Sequence, residues 1–446
     1  MGCARPVRSG FSPLDEELEL LPGSLSSWGH ECLVRLGAWM PFAEAAKLLA
    51  VMIGIQVSEC TARRCAEAAG AAEVELETEA VARLEREAPA APAGAAKQIL
   101  SADGAYVPLV GGKWAEVKTL VIGEVLEPVL DAKSNSWSVA CKKLSYFSRL
   151  AEAQTFNRLA LVETQRRGVE NAKQVAAVMD GAEWLQGFTA YHRPDAIRIL
   201  DFPHAAEYVS KIGQAAYGAD TPEMVVWLSE QLHELKHTGP AAVLAELRHL
   251  GQTLPSTLGV PEALAYLEKR QAQMQYPDFQ AQGWPIGSGM VESANKLVVE
   301  DRLKGAGMHW ALEHVDPMLA LRNAVCNDRW AEIWPQIETR LRLQARQAQT
   351  LRLKKRHQQR LPTPLQPVAS PPHPSASFPP PPPSSAPPLL SSTSLSTSAD
   401  PPPVSTSISP PPTRRTHSPA PDHPWRRSPI GRARFRPSHS AQPGKL

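Results

Sequence analysis

Ile-Leu-Ser-Ala-Asp-Gly-Ala-Tyr-Val (99–107) sets an acid inside a run that otherwise reads as a β-strand. A carboxylate in an apolar strand is costly unless it is paired or metal-bound, which makes Asp103 the first candidate for chemistry. Working outward, residues 116–125 and 137–147 are two further strand candidates separated by turn material, the spacing of an antiparallel meander. Residues 147–168 follow a helical period, with Leu150, Phe156, Leu159, Ala160 and Val162 on one stripe. Val-Ala-Ala-Val-Met (175–179) is short and wholly apolar, as a buried parallel strand is, and it ends in Asp180-Gly181. A short helix over 181–191, a buried strand over 196–200 and a helix over 203–217 complete the order β-β-β-α-β-α-β-α.

That order is the one of the ribonuclease H-like fold. The expected class is therefore α/β, with a ribonuclease H-like catalytic domain at 96–348. Residues 222–276 are helical throughout, with breaks near Gly239, Gly251 and Pro255, and read as an all-helical insertion at about 221–282. After it, Gly-Ser-Gly-Met-Val-Glu-Ser-Ala-Asn-Lys (287–296) opens a helix that carries Glu292, and 311–346 is a last helical region.

Two flanking regions differ in kind. Residues 25–70 read as three short helices, with Ser24 and Ser58 as caps, a stop at Gly54, and Arg63 and Arg64 on the third. Helix, Gly turn and Ser-capped helix match a small helix-turn-helix-like domain (25–95), and simple packing of a helical bundle gives the same pattern. A charged helix over 73–87 and an Ala/Pro-rich linker over 88–94 follow. At the other end, 25 of the 43 prolines lie beyond residue 360, mixed with Ser and Thr, so 349–446 is expected to be a disordered, basic tail. From Arg352 onward 13 Lys+Arg face 2 Asp+Glu, so the overall charge of +2 averages an acidic body and a basic end. That asymmetry suits contact with a polyanion, and a solvated spacer has the same composition.

The six cysteines are scattered. Cys60 and Cys65 lie within a helical stretch at a spacing that makes no zinc pair, so thiols in a reducing cytosol and no zinc are expected. The most apolar window, 42–55, is interrupted by Glu44 and Lys47 and is too short to span a bilayer. A soluble intracellular protein with no membrane partner is the expectation.

Asp103, Asp180 and Glu292 stand 77 and 112 residues apart. In the proposed topology Asp103 lies mid-strand, Asp180 ends the neighbouring strand, and the Glu292 helix crosses beside them. In-line attack on a phosphodiester requires an activated oxygen and a stabilised leaving oxygen, which two Mg²⁺ about 3.5–4 Å apart provide, and Mg²⁺ takes hard oxygen ligands. Each acid also has a plainer reading. Asp180-Gly181 is a common turn, and a Glu in a first helical turn complements the helix dipole. Helical spacing puts Asn295 and Lys296 on the face of Glu292, with Arg302 and Lys304 beyond, as in a phosphate-lined groove; a surface pair of Glu292 with Lys296 is the alternative. Asp201 and His204 follow the last strand. They are placed either to position DNA or a metal-bound water, or simply to cap the next helix.

Ser-Ala-Asp-Gly-Ala-Tyr-Val-Pro-Leu (101–109), Lys-Trp-Ala-Glu-Val-Lys (113–118), Met-Asp-Gly-Ala-Glu-Trp-Leu (179–185) and Ile-Leu-Asp-Phe-Pro-His-Ala (199–205) resemble the ISKra-type insertion-sequence transposases, of the DDE class within the Mutator-like group. So do Ile-Gly-Ser-Gly-Met-Val-Glu-Ser (286–293) and Arg-Leu-Lys-Gly-Ala-Gly-Met-His-Trp (302–310). The resemblance runs over about residues 11–345. It implies a catalytic triad of Asp103, Asp180 and Glu292, Mg²⁺ dependence with Mn²⁺ as a substitute, and transposon-end and target DNA as partners. It further implies a homo-oligomeric synaptic complex, a bacterial cytoplasmic location on the nucleoid, and an Asp-x-x-His signature at Asp201 and His204. Family members carry a Cys-x-x-Cys zinc ribbon just before the segment matching Phe-Ser-Pro-Leu-Asp-Glu (11–16). Only ten residues with Cys3 precede it here, so 1–24 is expected to be the remnant of a truncated N-terminus. A ribonuclease H-like nuclease without strand transfer, and a truncated relic that binds DNA through 25–70 as a repressor, are the rival expectations.

Overall fold

Five strands make one mixed sheet: β1 (Lys97–Pro108), β2 (Trp114–Val125), β5 (Cys141–Arg149), β6 (Gln174–Met179) and β7 (Ile197–Leu200), in the order β5-β2-β1-β6-β7. The computed structural model describes residues 25–131, 136–254 and 259–360. β1, β2 and β5 pair antiparallel and β1, β6 and β7 pair parallel, as the alternation of meander and apolar runs predicts. The third predicted strand is divided. Its start, β4 (Ser136–Ser138), pairs with β3 (Val129–Asp131) in a separate ribbon, and β5 carries the pairing with β2 on to Arg149.

The β1–β6 ladder runs from Lys97↔Gln174 to Leu100↔Ala177 at a constant offset of 77 residues. The Ser101 hydroxyl extends it by donating to the Val178 carbonyl at 2.6 Å. Neighbours in register share a face. Asp103 lies three residues beyond the paired stretch of β1, and Asp180 follows the end of β6 at the same offset.

The two faces have different covers. On one, Leu100, Ala102, Leu120, Ile122, Ala177 and Met179 pack under α4 (Ala153–Leu159), α5 (Leu161–Arg166) and α6 (Glu183–His192). On the other, two apolar clusters meet the sheet at opposite ends. Ile99, Ala176, Val178 and Ile199 pack under α7 (Phe202–Tyr217) and the helices that follow it: α8 (Pro222–His237), α9 (Pro240–Thr253), α10 (Val260–Lys269), a 3₁₀ turn at Gln271–Met274 and α11 (Tyr276–Ala281). These helices fill the stretch expected as the insertion. Ala105, Val107 and Val117 pack at the other end under the N-terminal and C-terminal helices. Asp103 lies in the seam between the two clusters.

The N-terminal helices are α1 (Ser27–Trp39), α2 (Phe42–Ile53) and α3 (Glu59–Glu87). Ser26, not Ser24, caps α1, Gly54 ends α2 in the left-handed conformation, and Ser58 caps α3 by accepting from Thr61 N at 3.1 Å. The expected short third helix and charged fourth are one 29-residue helix. Ala66, Ala69 and Ala72 of α3 enter the same cluster as Ala105 and Val107 of the sheet and Val315, Met318 and Leu319 of α14 (Leu312–Cys326). The helices of 25–95 therefore share a core with the α/β body, and the described residues fall in one compact unit. The last helix, α15 (Trp330–Arg360), runs past residue 349, where the tail was expected to start; its Lys and Arg content is compatible with helix, and the proline-rich composition begins only after it. The expectations for 1–24 and for the tail beyond 360 lie outside the described residues. Among the described residues no helix is long and apolar enough to cross a membrane.

Burial of Glu73 on α3 makes a pH-dependent contribution to this packing. Desolvation raises its carboxyl to about 7, against the lowering effect of Arg149 and Arg166, with Glu332 raising it further. A folded-state value above the usual carboxylate range means that the native state holds a proton the unfolded chain releases, so stability falls as pH rises from about 4.5 to about 7. Glu73→Gln is expected to be more stable than the wild type at pH 8 by on the order of 2 kcal/mol. The gain should vanish near pH 4.5, as read by urea unfolding at both pH values.

Candidate active site

Asp103 is level with Thr119 of β2 on the sheet face crossed by the Glu292 helix. That helix has three parts: α12 (Gly289–Ala294), a π-helical segment (Asn295–Glu300) and α13 (Asp301–Leu303). Val291 and Ala294 rest on Val121 of β2. One turn on, the buried Asn295 donates its Nδ2 to Asp103 Oδ2 at 3.1 Å. Glu292 itself is exposed and makes no ion pair with Lys296. Asp180 accepts from Ala182 N through Oδ1 at 2.6 Å, which holds the turn after β6.

The three acids act on one another electrostatically. Burial pushes the Asp103 carboxyl up to about 6; the Gly104 backbone donor opposes the shift, and the charges of Asp180, Glu292 and Glu116 add to it. A buried carboxylate with further carboxylates near it is raised on both counts, burial first. Among the described residues no three His, Cys, Asp or Glu side chains are closed into a metal-ligand set. The donors nonetheless suit a hard divalent cation, because they are oxygens carrying excess negative charge. In addition Asn295 Oδ1 is buried with no hydrogen-bond partner, an acceptor left over beside the acids.

Asp201 and His204 divide. Asp201 is buried, and both its oxygens are used: Oδ2 accepts from His204 N at 3.1 Å, capping α7, and Oδ1 accepts from Ser288 N at 2.6 Å, at the start of α12. It thus caps α7 and fixes where the Glu292 helix begins. His204 is half-buried and packs edge-on to Tyr208 and Tyr266.

Two residues expected to face DNA are buried. Asn295 is turned onto Asp103. Arg302 is 1% exposed, lies between the rings of Phe42 and Trp310, and donates Nε to Gly37 O at 2.9 Å. The helical spacing misplaces it because the π segment, with its extra residue per turn, rotates everything beyond it. Burial, with Arg322 nearby, lowers its guanidinium to about 10. Lys296 is exposed one turn from Glu292, Lys304 pairs with Glu300 at 2.8 Å, and Arg63 and Arg64 are exposed near the start of α3. Lys296, Arg63 and Arg64 thus stand exposed on the surface, and Lys304 is exposed but paired.

Several contributors were not singled out from sequence. Glu116 packs on the far side of Gly104, where a Cβ would collide with it, and pairs with the buried Lys118 at 2.9 Å. Arg322 of α14 donates to the Leu297 and Val298 carbonyls of the π segment and to Ala38 O of α1. No motif signals Arg322, which sits in an ordinary helical period. A cavity of about 440 Å³ lies away from the acids, under α3, α5 and α15. Its charges largely answer one another, Arg329 with Glu163 and Arg166 with Glu332.

The two kinds of cation separate by experiment. Arg302→Lys is expected to lower stability by about 2 kcal/mol, since an ammonium cannot fill the stacked, planar position, with the salt slope of DNA binding unchanged. Lys296→Ala is expected to leave the melting temperature unchanged and to reduce that slope by about 1. No protein-family model and no curated protein matches the chain.

Proposed function

We propose that this chain is a DNA transposase of the ISKra-type, DDE class, with a ribonuclease H-like catalytic domain built on the sheet at 97–200. The observation that carries the reading is that Asp180 and Glu292, from two distant segments, lie near enough to the buried Asp103 to act on its charge, burial being the larger effect. The order of elements supports it, because three antiparallel strands are followed by two parallel ones with helices between. So do the six motifs in the order that the family has them.

In this reading Asp103, Asp180 and Glu292 hold Mg²⁺, or Mn²⁺ in its place, with Asn295 Oδ1 as a further oxygen. Bound divalent cations supply activation of the attacking oxygen and stabilisation of the leaving oxygen at phosphorus. Asn295 holds the Asp103 carboxylate in a single orientation. Lys296 and Lys304 neutralise flanking phosphates, and Arg63 and Arg64 extend the contact to the N-terminal helices. Attack comes from water in the cleavage step and from a DNA 3′-hydroxyl in the joining step. No bond forms between protein and DNA.

In a Mg²⁺ assay with transposon-end DNA the expected products are nicked and joined strands, and nicks alone would favour a nuclease without strand transfer. Asp103→Asn should abolish both products and leave DNA affinity intact; undiminished cleavage would sink the assignment. The raised Asp103 gives a pH signature as well. A proton competes with the cation below about pH 6, so Mn²⁺ binding to the DNA-free protein should weaken as pH falls from 7.5 to 5.5. Asp103→Asn should remove most of that dependence.

A further inference from the structure

We infer that Tyr266 and Arg270, carried by the helical insertion, are positioning residues for Asp180. This deepens the reading above and rests on it.

Gly181, the residue after Asp180, is gripped at both ends of its backbone. Its N–H donates to Tyr266 Oη at 2.9 Å, and its carbonyl accepts from Arg270 Nε at 2.8 Å and from Arg270 Nη2. A side chain at Gly181 would collide with Arg270 and with the Tyr266 hydroxyl. The glycine after the acid is thus explained by the close approach of α10.

The gripping groups are themselves fixed. The Arg270 guanidinium lies 3.9 Å from the centre of the Tyr266 ring, and Tyr208 of α7 stacks on that ring, 3.9 Å away and within 5° of parallel. Arg270 is 5% exposed, and its remaining donors go to Tyr266 O at 3.2 Å and Glu183 Oε1 at 3.1 Å. Burial holds the Tyr266 hydroxyl up at about 12, and the Asp180 charge contributes to that shift, so ring and acid are neighbours.

The mechanical consequence concerns metal binding. Asp180 follows the last paired residue of β6; Asp201 N donates to Met179 O at 3.0 Å just before it, and Ala182 N holds its Oδ1. Two anchors from a different layer add the hold on the next peptide, at Gly181. Without them the turn that carries Asp180 is held less firmly, which weakens the site without removing a ligand.

The test uses the full chain and Mn²⁺ alone as probe. Tyr266→Phe removes the hydroxyl and leaves the ring stack; Arg270→Gln removes the guanidinium. Arg248→Gln breaks an exposed pair with Glu268 inside the same insertion, away from Gly181, and serves as the reference. Free Mn²⁺ is followed by electron paramagnetic resonance without DNA, amide exchange is followed over residues 179–185, and the Mg²⁺ midpoint of strand cleavage is measured separately. For Tyr266→Phe and Arg270→Gln the expected result is roughly 10-fold weaker Mn²⁺ binding, faster exchange over 179–185 and a raised Mg²⁺ midpoint. Cleavage should recover at saturating Mg²⁺, and Arg248→Gln should match the wild type. If Tyr266→Phe, with an unchanged melting temperature, keeps its Mn²⁺ midpoint within twofold and its exchange unaltered, the inference falls and the transposase reading stands. That comparison decides even if Arg270→Gln does not fold. If the wild type neither binds Mn²⁺ nor cleaves DNA, both fall.

Discussion

The constraint on which the rest depends is the burial of the Asp103 carboxylate. Burial on a strand that also carries the buried Ala102 and Ala105 raises it to about 6, and the charges of Asp180, Glu292 and Glu116 add to the shift. A fold driven only by burial would fill that position with an aliphatic side chain. Instead the sheet face is split. One apolar cluster closes over its lower end and another over its upper end, and the acids occupy the seam. Destabilising charge is tolerated because apolar packing on either side, and the separate cluster on the far face, over-determine the position of the strand.

The Glu292 helix crosses that seam, and its geometry is set at three points. Asp201 fixes its start through Ser288 N, Asn295 ties its middle to Asp103, and Arg322 satisfies carbonyls of the π segment. The last two depend on each other. A π segment leaves backbone acceptors poorly paired, and a buried guanidinium with donors to Leu297, Val298 and Ala38 removes that cost. Arg302 repeats the device one turn later by holding Gly37. The N-terminal helices are thus bound to the acid-bearing helix through the carbonyls at the end of α1. Any role of α3 in holding DNA would be coupled to the acids through this junction.

What was legible in the sequence follows the periods that the sequence keeps. The separation of 77 residues between Asp103 and Asp180 is also the register offset of the β1–β6 ladder, so the two strands run side by side with the acids beyond the paired stretch of each. The helical character of 222–276 was legible, with breaks near Gly239 and Gly251. The positions lost lie where a period changes silently. Arg302 reads as a surface cation by α-helical spacing, and only the π segment before it turns it inward. Asn295 had the right face and the wrong partner, because which side of a helix meets an acid 192 residues away is a tertiary fact. The split of the third strand and the continuity of α3 are losses of another sort. Single residues such as Glu73 sit in buried positions that composition marks as exposed.

The insertion bears most directly on how such a site is built. An element interposed between β7 and the Glu292 helix could be a passive spacer, in which case its side chains would meet only each other and α7. Tyr266 and Arg270 instead cross back to the turn after β6, a part of the chain that precedes the insertion by more than a whole strand–helix unit. The three acids therefore do not belong to the sheet alone. Asp103 is set by strand pairing, Glu292 by the crossing helix, and Asp180 by a turn whose backbone partners come from the insertion. Truncating the insertion would remove the hydrogen-bond partners of Gly181 together with the apolar cover of Ile99, Ala176, Val178 and Ile199, so the same helices serve the turn and the sheet.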